Sequence, residues 1–340
     1  MPSWSEDWPS TGCWTKLASM TTFETVRVAA IQATPVMLDA EATIEKAVGL
    51  LEDAAEAGAQ LAVLPECFVS LYPDWTWTAA ACTDRGAFDE LYARMWEESV
   101  EVPGPRIDRL VEACRRTGIH CVVGINEREA GGSFTLYNSL AVLGPSGVLH
   151  VHRKLMPTKH ERMFHGFGSG DDLRVVDTPF GRVGGLICWE NRMPLARYLV
   201  YRGGPQIWVA PTADTSDGWI ALMQTIAIES GAHVVGVPQF VNRAAFPADF
   251  PIELPDTDVY MRGGAVVVGP RGELLGGPLY GAEGMVVADC DLRAGLRTRA
   301  WFDPVGHYAR EDSLLPLLGL PAPAPVTAQP YAEPVVQDLV

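Results

Sequence analysis

The sequence predicts an α/β fold, in which helices cover the outer face of a sheet-based core. Three observations predict it. Residues 26–32 (VRVAAIQ) and 61–65 (LAVLP) are short apolar runs of strand length. Between them, 40–57 carries Ile44, Ala47, Val48, Leu51, Ala54 and Ala55 at helical spacing, with Gly58 as its stop, so the three segments make a βαβ unit. Similar alternation then continues to about residue 288.

The later elements follow in order. Residues 90–99 and 106–117 read as helices, the second ended by Gly118. A strand is predicted at 119–126. Strands at 137–143 and 147–153 pair around the turn Gly144-Pro145-Ser146-Gly147, and Lys154 stands where the second one stops. Residues 158–172 have no clean period and read as a loop with one helical turn. The apolar run 183–187 delivers Cys188. Helices are predicted at 194–202 and 219–230, and strands at 207–210, 234–237, 265–269, 273–276 and 285–288. Residues 239–262, rich in Pro, Asp and Phe, break the rhythm and read as a surface insertion. Residues 1–22 lack periodicity and the basic, apolar pattern of a signal peptide, and read as a disordered extension. The domain is expected over 23–315, with a Pro/Ala-rich tail at 316–340.

Of 340 residues, 48% are hydrophobic, enough for a large core. The net charge of −16 is poorly suited to holding nucleic acid or an anionic membrane. No apolar run reaches the ~18–20 residues of a membrane-spanning helix. Seven cysteines (13, 67, 82, 114, 121, 188 and 290) are widely spread without a CxxC pair, which argues against a disulfide framework or zinc site and for a reducing cytoplasm.

Three polar residues stand directly after predicted strands: Glu66, Lys154 and Cys188. Strand ends in layered α/β folds are where side chains can converge on a cleft. A thiol needs to become a thiolate to attack, a carboxylate can take its proton, and an ammonium can stabilise developing negative charge. Together they are a complete set for attacking a nitrile or amide carbon. Singly, each has an ordinary reading: a solvated carboxylate, a surface lysine, a core cysteine.

The surrounding stretches decide between these readings. LPECF with LYPDW, then HRKLMPTKHER, then GGLICWEN closely resemble the nitrilase branch of the carbon–nitrogen hydrolase superfamily. AAIQATPV, GINERE, YNSLAVLGPSGVLHVHRK, VAPTAD and DPVGHYARED support the resemblance, which covers about residues 25–312. It implies a four-layer α-β-β-α sandwich, with Glu66 as base, Lys154 as the lysine, Cys188 as nucleophile and Glu161 as a second active-site glutamate. Trp189 and Glu190 after the cysteine point to nitrilases rather than amidases. The implied reaction converts a small organic nitrile to the acid and ammonia through a thioimidate and a thioester on Cys188, without metal or organic cofactor. Whether the nitrile is aliphatic, arylacetic or aromatic is left open. A homodimer or larger homo-oligomer, even a spiral or filament, is also implied. The alternatives are an amidase or a cyanide- or nitrile-hydrating relative that releases the amide, and a catalytically silent scaffold.

Tyr72, Trp75 and Trp189 are candidates for lining the substrate pocket, and Glu127 for supporting the lysine–glutamate network. Glu229 is expected to make a structural hydrogen bond. His160, His165 and His307 lack paired metal-ligand spacing. Gly166-x-Gly168-x-Gly170 is not a phosphate loop, because no Lys-Ser/Thr follows it.

Overall fold

The computed structural model describes residues 24–81 and 83–319. The chain runs β1 (Thr25–Gln32), α1 (Ala40–Glu56), β2 (Leu61–Val63), α2 (Trp75–Ala81), α3 (Arg85–Glu97), α4 (Pro105–Thr117), β3 (His120–Arg128), β4 (Leu136–Gly144) and β5 (Gly147–Arg153). It continues with β6 (Val176–Thr178), β7 (Gly181–Gly185), α5 (Pro194–Arg202), β8 (Ile207–Thr212), α6 (Asp217–Ser230), β9 (His233–Pro238) and β10 (Phe240–Asn242). The last elements are β11 (Val259–Val268), β12 (Leu274–Tyr280), β13 (Gly284–Asp291), α7 (Leu292–Arg299) and α8 (Glu311–Leu314).

Two sheets form. One has the order β13-β1-β2-β3-β4-β5; the other has β10-β11-β9-β8-β7-β6, with β12 added on β11. Each is built around three parallel strands, β1/β2/β3 and β7/β8/β9, extended by antiparallel ones. Alternation along the strands assigns the faces. In β1, Val28 and Ala30 join Val63, Val122, Val209, Val235 and Val267 between the sheets. Ala29 and Ile31 point the other way, onto Ile44 and Leu51 of α1 and Leu110 of α4. On the far side Trp208, Val234 and Val266 meet Val200 of α5 and Met223 and Ile226 of α6. The layers are therefore α-β-β-α, the sandwich expected.

Helix ends follow their sequence signals. Asp39 accepts a hydrogen bond from the Ala42 N–H, and Gly118 closes α4 in the left-handed region. Five elements were not anticipated: α2, β6, β10, α7 and α8. The first two span only 7 and 3 residues, too short to show a period. The segment 239–262 is not simply a surface insertion. Phe246 and Phe250 pack edge-on against buried Trp77 of α2, and Gln239, Val241 and Ile252 are buried. Its Pro and Asp residues hide a pattern fixed by aromatic packing rather than by periodicity. Beyond α8 a 3₁₀ turn, Leu315–Leu318, extends ordered chain into the expected tail. The extension 1–22 and the tail from 320 lie outside the described residues. No helix among the described residues is long and apolar enough to cross a membrane.

Candidate active site

The candidate residues sit at ends of strands facing the inter-sheet layer. Glu66 follows β2 in a loop pressed onto β3. A Cβ on Gly124 would lie 2.3 Å from the Pro65 carbonyl oxygen and 2.6 Å from the Glu66 Cα, so this approach requires a glycine. Lys154 follows β5, and its N–H donates to the Asn138 carbonyl at 2.8 Å. Gly168 packs against the same turn: its N–H donates to the Lys154 carbonyl, and a Cβ there would fall 2.1 Å from the Arg153 oxygen. That close packing accounts for at least one glycine of the 166–170 run. Cys188 opens the 3₁₀ turn Cys188–Arg192 after β7 with φ 49°, a left-handed conformation that strains a side-chain-bearing residue.

Glu66, Lys154 and Glu161 meet in full burial. Lys154 Nζ donates to Glu66 Oε1 at 2.7 Å and to the Glu161 oxygens at 2.8 and 2.9 Å. The side chains of all three are inaccessible to solvent. Asn138 Nδ2 also donates to Glu66 Oε1, and the Ala213 N–H donates to Oε2, both at 2.7 Å. Gln239 Nε2 holds the Glu66 carbonyl at 2.7 Å. The Tyr72 hydroxyl donates to Glu161 at 2.5 Å. Cys188 Sγ accepts from the Thr212 hydroxyl at 3.1 Å, and its electrostatic neighbours are Glu66, Lys154 and Glu161.

Environment splits the two carboxylates. Burial raises the Glu66 pKa; Lys154 opposes, Glu161 adds, and the net is upward. Burial acts in the same direction on Glu161, but Lys154, which spends two contacts there, together with His165 and the Tyr72 hydroxyl outweighs it and holds Glu161 below the usual range. Burial also works against the charged Lys154, but Glu161 and Glu66 keep it firmly protonated. The Cys188 thiol is pushed well up by burial and then by Glu66, with Lys154 opposing. The resting sulfur is thus protonated beside a carboxylate whose proton affinity is raised, which is the pairing that general-base chemistry needs.

A family model described as carbon–nitrogen hydrolase matches residues 27–300. The chain belongs to that family. This carbon–nitrogen hydrolase is 41% identical to an "Aliphatic nitrilase" of Sinorhizobium fredii (strain HH103) over 291 residues, which cover 84% of this chain and 93% of that one. It is 38% identical to "Nitrilase 1" of Arabidopsis thaliana, covering 85% and 86%. A "Bifunctional nitrilase/nitrile hydratase" of Nicotiana tabacum matches at 39%, over 89% and 88%. These relatives put it in the nitrilase branch. Solved structures share the fold: Nit3 of Saccharomyces cerevisiae has a TM-score of 0.65 at 22% identity, covering 83% of this chain and 96% of that one. A carbon–nitrogen hydrolase of Helicobacter pylori G27 has 0.66 at 19%, covering 87% and 99%.

Several expected contributors lie elsewhere. Glu127 does not reach Lys154. Its oxygens accept from Arg153, at 2.6 Å for the shortest, and from Ser139 at 2.6 Å. Lys154, just past β5, still pairs with β4 through its N–H, and consecutive residues of extended chain point to opposite faces, so the neighbour of the expected partner takes this carboxylate. Trp75 is 56% exposed, with its ring 5.6 Å from that of His160. The exposed Trp189 donates from Nε1 to Asp214 and lies under the Arg192 guanidinium. His160 contacts the Pro73 carbonyl and His165 the Asn126 side chain, while exposed His307 packs on Tyr308. Among the described residues no cluster of three or more His, Cys, Asp or Glu could hold a metal ion. Glu229 makes its structural bonds, to Arg197 and Tyr201 between α5 and α6. The reading from sequence missed Asn138, Thr212, Ala213 and Gln239. Two of them stand at the ends of β8 and β9, the same signal that found Glu66.

Proposed function

We propose that this protein is a nitrilase that converts an organic nitrile to the carboxylic acid and ammonia on Cys188. The observation that carries the reading is the dry Lys154 clamp between a carboxylate with raised proton affinity and one with lowered affinity, beside a buried thiol. Relatives named as nitrilases across most of the chain support it. Glu66 takes the Sγ proton, and the thiolate adds to the nitrile carbon. The nitrogen accepts a proton to give a thioimidate, with Lys154 and the Trp189 N–H stabilising the negative charge. Water adds with Glu66 as base; ammonia leaves the tetrahedral adduct, and a thioester remains. A second water releases the acid and restores the thiol. Glu161 stays ionised and keeps Lys154 charged and aimed, and Tyr72 holds Glu161.

Expulsion of the Cys188 sulfur from the tetrahedral adduct instead of ammonia would give the amide, a second reading favoured by the bifunctional tobacco relative. The test is a panel of aliphatic, arylacetic and aromatic nitriles and amides, with ammonia, acid and amide measured separately. Cys188→Ala should lower turnover by at least ~1,000-fold while leaving the thermal midpoint within about 2 °C. Ammonia release by that variant at near the parental rate would sink the assignment.

Two coarser expectations belong to the same proposal. The outer face of α5, with Leu195 67% and Leu199 47% exposed, suits a homo-oligomer, which sedimentation would test. Five described cysteines are buried free thiols, which suits a reducing cytoplasm.

A further inference from the structure

A second buried network lies behind the site. His152 is two residues before Lys154, and Glu190 is two after Cys188. His152 Nε2 lies 3.0 and 3.2 Å from the Glu190 oxygens, and Nδ1 lies 2.8 Å from Asp172 Oδ1. Glu190 also accepts the Ile187 N–H at 2.9 Å and the Leu155 N–H at 2.5 Å. The second Asp172 oxygen accepts the Arg153 N–H at 2.8 Å. Backbone groups adjoining both Cys188 and Lys154 are therefore held by two carboxylates joined through one imidazole. A neutral imidazole has one N–H and one acceptor nitrogen, so it cannot donate to carboxylates on both sides.

We infer that Glu190, His152 and Asp172 form a positioning chain that sets the Cys188 turn against the Lys154 strand end, with His152 donating from both ring nitrogens. The inference rests on the roles proposed above for Cys188 and Lys154. Groups facing the ring are Glu190 from the 3₁₀ turn, Asp172 from the loop before β6, and His150 from its own strand, to which Arg174 donates. β7 and β8 approach with Gly184, Gly185 and Val209. Burial disfavours the charged ring, but Glu190 and Asp172 outweigh it and hold His152 up at about 10. In this arrangement Glu190 aims the nucleophile without touching the substrate.

The test uses the full chain labelled with ¹⁵N-histidine. At pH 8 one ring should keep both N–H protons, and its signal should vanish in His152→Gln. A ring at 152 that loses a proton near its ordinary 6.5 overturns the inference. The second readout is turnover of the best nitrile from the panel. His152→Gln should lose roughly 10–100-fold in kcat with KM within about threefold, the size typical of lost supporting contacts. Asp172→Asn should lose less, and the double variant no more than His152→Gln alone. A kcat within twofold of the parent, or fully additive losses, overturns it. If His152→Gln does not fold, Asp172→Asn carries the test: the ring should titrate lower by about one unit, and an unmoved titration overturns the chain. A parent that turns over no nitrile would sink the nitrilase reading, while the ring spectrum still decides the state of His152.

Discussion

The ion pairs of the site and those along the α1–α4 seam use the same chemistry in opposite surroundings. At the seam, Arg106 pairs with Glu41 at 3.0 Å, Arg109 with Glu41 at 2.9 Å, and Arg116 with Glu52 at 2.7 Å. The Arg109 and Arg116 pairs are as short as the contacts of Lys154, yet the Arg109 and Glu41 side chains are 40% and 61% exposed. Water competes for them and salt screens them. In the site each charge is dry and depends wholly on its partners. Distance alone therefore says little about what an ion pair does, and burial decides.

Lys154→Met should break this contrast most severely. It leaves Glu66 and Glu161 facing each other unpaired, with an expected loss of roughly 3–5 kcal/mol in denaturant unfolding and no measurable turnover. A loss below 1 kcal/mol would mean that the site is wetter than its geometry implies. The next largest effect is a pH dependence. The folded pKa of His152 is raised from 6.5 to about 10, so its contribution to stability is complete below pH 6.5 and fades as pH rises towards 10. The stability gap between parent and His152→Gln should shrink over that window by roughly 3–5 kcal/mol. A gap that grew with pH would show the ring to be neutral.

Glu161→Gln should cost about 2 kcal/mol and lower kcat without a matching rise in KM, since it removes a charged partner of Lys154 and keeps the shape. Glu161 is held below 4.5, so its contribution is present above that pH and is lost as pH falls through the lower folded value. The gap between parent and variant should therefore close on acidification. Arg109→Ala sharpens the comparison from the other side, with a loss under about 1 kcal/mol, reduced further by salt, and unchanged turnover.

Glu66, Lys154 and Cys188 were legible because each is a polar residue ending an apolar run, and the flanking stretches carry a family resemblance. Glu161 came from that resemblance alone. Thr212 and Gln239 stand at strand ends as Glu66 does, but their partners, like those of Asn138, exist only where separate strands come together. Glu127 shows the limit in its simplest form: the strand end was visible, but which of Arg153 and Lys154 faced it was set by the pleat. The layers were legible from alternation and helical spacing. The aromatic packing of 239–262 was not, because its contacts join residues distant in sequence.

Glu66 is gripped from both halves of the sandwich, by Asn138 of β4 on one side and by the Ala213 N–H after β8 on the other. The chain up to Glu161 carries the carboxylates and the lysine, whereas the nucleophile follows β7 and the amide that steadies its base follows β8. Chemical competence should consequently arrive abruptly, when the halves close, and a partly assembled molecule should be inert rather than sluggish.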